Sequence, residues 1–378
     1  MSRADLASCG DVLNVHYGDI LIKYGSILDV ESNKIPYIAT GKENKKQCYL
    51  SDGDIIIADT AEDETVGKCT EIINIRDAKI EAGLHTIPCH PQTAYAPMYL
   101  GYYMNSPHYH KQLVPLMQGV KVLSVSKSNI GNTLISAPVS YSEQEKIVKM
   151  LYLLDIRMYK QQEIIETLKK YKRGVIKTLL SQKDCKLQNV KWTTARIGDI
   201  GIFIKGVPLS KSDITSEGTP FILYGELYTT YNEVITKVIR KTQTNVDEQY
   251  YSRVGDVIMP TSGETPEEIS TASCVMIPDV ILAGDLNIYR SSKVDGQIIS
   301  YILNHVVNNN IARVAQGKSI VHIQASEISK IKITYPDTDT QKKMILIFKS
   351  INDKIERGIH ELELLKKQQK ALLQQLFI

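Results

Sequence analysis

No apolar run in this 378-residue sequence approaches the roughly 18 residues that a membrane-spanning helix needs, and the opening MSRADLASCGD lacks the apolar core of a secretory signal. Both absences point to a cytoplasmic protein that meets no membrane. Cysteine is scarce and scattered. Cys9, Cys48, Cys69, Cys89, Cys185 and Cys274 form no CxxC pair, which argues against a zinc ribbon and a disulfide framework and fits a reducing compartment. A large excess of one charge is missing too. The net charge is only +3, so this is no strongly basic coat for nucleic acid, although a local basic patch or a basic partner stays open. Tryptophan and phenylalanine are rare, at 1 and 4 residues, while tyrosine reaches 21. Tyrosine joins apolar area to a hydroxyl and suits polar interfaces. The remaining composition, 43% hydrophobic and 23% charged, is that of a soluble globular chain long enough for two or three cores.

Catalytic signatures are absent as well. There is no Gly-rich turn with an Asn/Asp-Pro-Pro-aromatic motif, as a methyltransferase that binds S-adenosylmethionine would carry. The stretch QGKSI (316–320) has the Gly-Lys-Ser of a phosphate loop, but Ala312 stands where the upstream glycine is required, and the surrounding helix and strand come in the wrong order. His108 and His110, with Cys89 and His90 before them, match no standard zinc spacing and have no counterpart later in the chain. No Ser-His-Asp set can be named. The expectation is a chain without catalytic residues, metal or cofactor of its own.

What the sequence does contain is a second version of itself, at a period of about 200 residues. Asp5, Ser8 and Gly10 match Asp213, Ser216 and Gly218. YGDILIKY (17–24) matches YGELYTTY (224–231), and GDIII (53–57) matches GDVIM (255–259), each of the latter followed by an acidic loop holding Glu62 or Glu264. Gly83 and Ile87 match Gly284 and Ile288, and YLGYYMNS (99–106) matches IISYILNH (298–305). Last, LISAPVSYSEQEKIV (134–148) matches KITYPDTDTQKKMI (332–345). The matches are collinear, so this is a domain duplication. Each copy opens with short strand-like runs broken by Gly, Pro, Asn and Asp, YGDI/YGEL and GDIII/GDVIM among them, and has one apolar helical stretch near its end. That pattern predicts a compact α+β domain.

Each copy closes in a long helix that opens after a proline, Pro138 or Pro336. A 4,3 spacing runs through Ile147, Leu151, Leu154, Met158, Gln161, Ile165, Leu168, Lys172, Val175 and Leu179, and again through Met344, Phe348, Ile351, Ile355, Gly358, Leu362, Leu365, Gln369, Leu372 and Leu376. Only Gln161 and Lys172 in the first set, and Gly358 and Gln369 in the second, break the apolar seam, at the same two places. A sustained 3.5-residue period is a coiled-coil seam. Ile164, Ile176 and Leu180 widen the first stripe beyond a two-helix seam, as a surface for a further partner would. An antiparallel pairing of the two helices is the simplest way to bury both.

The layout resembles the specificity (S) subunit of a type I restriction–modification enzyme. The paired junctions carry it, Pro138 to Gln144 and Pro336 to Gln341, together with the repeated YGDI/YGEL and GDIII/GDVIM runs. KWTTARIGDIGIFIKG (191–206) resembles the usual opening of that family's target-recognition domain. The resemblance implies two such domains, 1–137 and 184–335, with spacer helices over 138–183 and 336–378 that form an antiparallel coiled coil. Each domain would read one half of a bipartite site in double-stranded DNA. The helices would set the gap and dock two methyltransferase (M) subunits, and restriction (R) subunits would join. S-adenosylmethionine, ATP and Mg would then be bound by the partners. A methylation-only defence system fits the same sequence, and a coiled-coil interaction scaffold that meets no DNA is the alternative from another class.

DNA affinity comes mostly from phosphate contacts, so exposed basic and polar loop residues are the candidates. They are Lys23, Tyr24, Lys42, Lys45, Lys46 and Lys68 in the first copy, and Lys205, Lys211, Tyr228, Arg240, Lys241, Arg313, Gln316 and Lys318 in the second. The second copy has KWTTARIGDIGIFIKGVPL (191–209) ahead of its matched region, while the first begins near the equivalent of Leu209. A first domain shortened at its N-terminal edge is the expectation.

Overall fold

In the computed structural model, described for residues 3–42, 48–315 and 321–377, the chain forms two compact units: Met1–Glu163 with Ile359–Ile378, and Ile164–Gly358. Each unit holds one copy of the α+β repeat and a portion of both long helices.

The sheet of the first unit runs Ile27–Asp29, Cys69–Ile73, Ile55–Ala58, Thr86–Cys89. That of the second runs Val234–Ile235, Ser273–Val275, Asp256–Pro260, Leu286–Ser291, with Gly201–Lys205 as a fifth strand beyond. In both, the first pair is parallel and the rest antiparallel. The central strands IIIA and DVIMP are buried along their whole length, which is why, Asp256 aside, these runs are continuously apolar rather than alternating. The Gly-Asp pair before each has a local cause. Gly53 and Gly255 sit at φ 84° and 95°, a region that costs glycine little. Asp54 and Asp256 then fold back to accept from the Ser51 and Arg253 N–H groups at 2.8 and 2.9 Å.

Ile55 faces Cys89 as Val257 faces Tyr289. This register makes Asn287, not Ile288, the counterpart of Ile87, whereas Gly83 and Gly284 do correspond: their N–H groups donate to the Val15 and Val207 carbonyls, and Val15 and Val207 pair in parallel with Ala82 and Ala283. At Ile87 residue identity drew the sequence match one position off, and a one-residue slip in a strand exchanges its two faces. Pro88 therefore stands at the place of Ile288, which faces Ile204 of the fifth strand. Among the described residues of the first unit no strand lies beyond Thr86–Cys89 in this sheet. Proline on such an edge removes an N–H that a further strand would need.

The YGDI and YGEL runs are not strands. Tyr17–Ile22 and Glu226–Thr229 are short helices. Ile20 and Leu227 are buried within these helices, and Tyr24, just past the first, is buried as well. The alternation was too short to distinguish the two periods.

The long helices span Tyr141–Leu179 and Thr338–Leu376. In the first unit Ile147 and Leu151 pack with Leu372, Leu376 and Phe377. In the second, Val175, Ile176, Leu179 and Leu180 pack with Met344 and Phe348. Start meets end in each unit, so the pairing is antiparallel, and every one of the apolar seam positions is buried or half-buried. Ile176 and Leu180 are taken up by the core of their own unit rather than left for a partner, while Ile164 stays 51% exposed. The shared break at Lys172 and Gln369 is polar for a reason. Lys172 reaches Glu233 at 2.6 Å, and Gln369 donates to Asp155, which also accepts from the Tyr102 hydroxyl at 2.7 Å.

The junction motif is a latch built twice. Gln144 accepts from the Ala96 N–H at 2.9 Å and donates to the Pro138 carbonyl at 2.8 Å. Gln341 accepts from the Asp295 N–H at 2.9 Å and donates to the Pro336 carbonyl at 2.8 Å. Both glutamines are buried, and each ties the start of a long helix to the entry of the apolar helix, Tyr99–Met104 or Gly296–His305. Asn105 and Asn304 repeat a second pattern, donating to the Cys69 and Gly101 carbonyls, and to those of Ala272 and Ser300. Gln144→Ala or Gln341→Ala leaves an N–H and a carbonyl unpaired. Each is expected to cost its unit about 1–3 kcal/mol, read as a lowered unfolding midpoint.

Candidate nucleic-acid interface

In the first unit only part of the candidate set is exposed. Lys23 is exposed, donating to the Lys34 carbonyl at 2.6 Å and lying 5.0 Å from the Tyr24 ring centre. Lys42 is exposed beside Asp5 at 3.7 Å. Tyr24 and Lys68 are corrected by the structure. Tyr24 is buried, and burial pushes its hydroxyl well above the ordinary tyrosine range. Lys68 is half-buried and donates to the Leu21 carbonyl at 2.7 Å, with burial lowering its pKa. Both hold the short Tyr17–Ile22 helix and its flanks in place. Lys45 and Lys46 lie outside the described residues.

In the second unit Lys205, Lys211, Lys241 and Arg313 are exposed. Arg240 is exposed and bonds Glu226 at 3.1 Å. Tyr228 is half-buried and donates to the Ser262 carbonyl at 2.7 Å, so its hydroxyl serves the fold, and burial raises its pKa. Gln316 and Lys318 lie outside the described residues. Lys205 lines a groove of about 900 Å³ with Ser210, Asn287, His322, Gln324 and Ser326 among its walls. His322 and Gln324 were not among the sequence candidates. The signal was present: in Val-His-Ile-Gln (321–324) the apolar residues alternate inward, leaving His322 and Gln324 exposed.

The strongly perturbed carboxylates serve the fold. Burial pushes Glu71 up to about 7, yet it accepts from the Met98 and Gly101 N–H groups at 2.5 and 2.8 Å. Burial works against the Glu233 anion too, but a hydrogen bond from His305 at 2.8 Å and the Lys172 ammonium outweigh it and hold Glu233 at about 2. His90 pairs with Asp54 at 2.6 Å as Arg290 pairs with Asp256 at 3.1 Å, the same link in both units. His110 bonds the Glu64 carbonyl at 2.7 Å.

Residues 189–364 match the family described as the type I restriction modification DNA specificity domain. The fold agrees along the whole length. A chain of a type I R-M system, solved for its complex assembly and conformational transition, shares 15% identity at a TM-score of 0.61, covering 97% of this chain and 90% of its own. The S subunit of the type I restriction–modification system from M. genitalium shares 14% identity at a TM-score of 0.56, covering 100% of this chain and 91% of its own. At such identities the likeness is one of fold. No curated protein matches the sequence. Among the described residues no helix is long and apolar enough to cross a membrane.

Proposed function

We propose that this chain is the DNA sequence-specificity subunit of a type I restriction–modification complex. The specificity-domain match over 189–364, within an S-subunit fold that takes in both units, carries the reading. Residues 1–137 and 184–335 are then the two target-recognition domains, and 138–183 and 336–378 the spacer helices. Each domain reads one half of a bipartite site. A shared framework with different surface side chains is what two readers of different sequences require. The helix pair sets the gap. Apolar side chains left exposed on it, such as Met150, Leu153, Ile164, Leu346 and Leu364, are suited to docking two M subunits.

Lys23, Lys42, Lys205, Lys211, Arg240, Lys241 and Arg313 bind phosphates, which positions the chain without informing it of sequence. The chain itself catalyses nothing. Methyl transfer and DNA cleavage belong to M and R subunits, which bind S-adenosylmethionine, ATP and Mg, and the complex works in the cytoplasm. The test is the methylation pattern of genomic DNA with and without this gene. A split motif with a fixed gap should depend on the gene; a continuous motif, or no change on deletion, contradicts the reading.

A further inference from the structure

The groove beside Lys205 is framed by Ser262–Gly263, which pairs antiparallel with Val321–His322, and by the short helix Ala325–Ser329 that follows. The first unit builds the same frame. Thr60–Ala61 pairs with Leu123–Ser124, and the helix Lys127–Gly131 follows. Thr60 faces Ser124 as Ser262 faces His322, so His322 stands at the place of Ser124 and Gln324 at that of Ser126.

The frame is common, but what it carries differs in kind. Ser126 caps its helix, accepting from the Asn129 N–H at 3.1 Å. Gln324 holds the same N-cap position and makes no capping bond. Serine is among the preferred N-caps and glutamine is not, so local stability favours the residue found in the first unit. The side chains of Gln324, His322 and Lys205 are exposed and have no hydrogen-bond partner among the described residues. Three polar side chains thus converge on one groove while the fold uses none of them. Asp285 lines the same groove, which fits a mixed surface of base edges and phosphates better than a bare anion site.

We propose that this groove meets the DNA half-site read by the second unit, with Gln324 on a base edge and Lys205 on a phosphate. The inference rests on the specificity reading above. A glutamine amide offers the donor and acceptor pair that matches adenine N7 and N6, and His322, beside it on the same face, supplies a further polar contact.

The test uses the full chain assembled with its methyltransferase subunits, on duplexes that carry the wild-type methylation motif and its single-base variants. Gln324→Ser restores the cap of the first unit. It is expected to leave the unfolding midpoint unchanged or raised, while discrimination at one position of the second half-site falls about 10- to 100-fold. Lys205→Ala should weaken binding to all duplexes alike and lower the salt slope by about 1. Stability and specificity moving apart in Gln324→Ser is a result that a structural role does not produce. A Gln324→Ser complex that keeps full discrimination throughout the second half-site, or loses it equally in both half-sites, overturns the proposal. A wild-type complex that recognises no split motif overturns the specificity reading itself, a separate result obtained before any variant is made.

Discussion

Glu233→Ala is expected to destabilise the second unit by about 3–5 kcal/mol, the range found when one partner of a buried ion pair is removed. Glu233 accepts from the Lys172 ammonium at 2.6 Å and the His305 ring at 2.8 Å, and all three side chains are nearly buried, at 11–13% exposure. Lys172 also lies 5.9 Å from the Tyr301 ring centre. Without the carboxylate, the lysine is left in a low-dielectric site with no counter-charge. The same cluster sets an acid limit. The folded value of Glu233, about 2, lies below its ordinary 4.5, so its contribution is present above about pH 4.5 and is lost as pH falls from there towards 2. Urea unfolding at pH 7 and pH 3 should show that loss in the wild type and a smaller one in Glu233→Ala. Equal acid sensitivity in both proteins would place the acid limit elsewhere.

Leu151→Ala and Phe348→Ala should each cost several kcal/mol, about 2–5 for the leucine and 3–5 for the phenylalanine. The two are the same position in the two helices, both are 0% exposed, and each belongs at once to the helix seam and to the core of its unit. Truncation opens a cavity that neighbouring elements cannot collapse into. Leu346, two residues before Phe348, is 68% exposed, and Leu346→Ala is expected to stay within about 0.5 kcal/mol. Denaturation of the full chain reads all three. A cost for Leu346→Ala as large as that for Phe348→Ala would contradict the seam assignment.

Much of the architecture was legible because it is written as a period. The 4,3 seam and the collinear repeat need no knowledge of distant partners, and both are found in the structure. The breaks at Lys172 and Gln369 were visible, but their cause was not, since Glu233 and Asp155 are brought to them only by folding. Register failed by one residue at Ile87, where identity outweighed face, while the match of Gly83 to Gly284 holds. The short YGDI and YGEL runs were misread because a few residues carry too little of either period.

Candidate DNA residues were harder. Residue type marked Tyr24, Lys68 and Tyr228, yet Tyr24 is buried, and half-buried Lys68 and Tyr228 donate to main-chain carbonyls of the fold. His322 and Gln324 were passed over, although the alternation around them was readable.

The most direct test of the account exchanges residues 184–335 for the corresponding region of a relative with a different target, and maps methylated bases across the genome before and after. Two independent recognition domains on a shared spacer predict a split motif in which one half changes while the other half and the gap stay as they were. Loss of both halves, a change in the half read by residues 1–137, or a motif with no gap would contradict it.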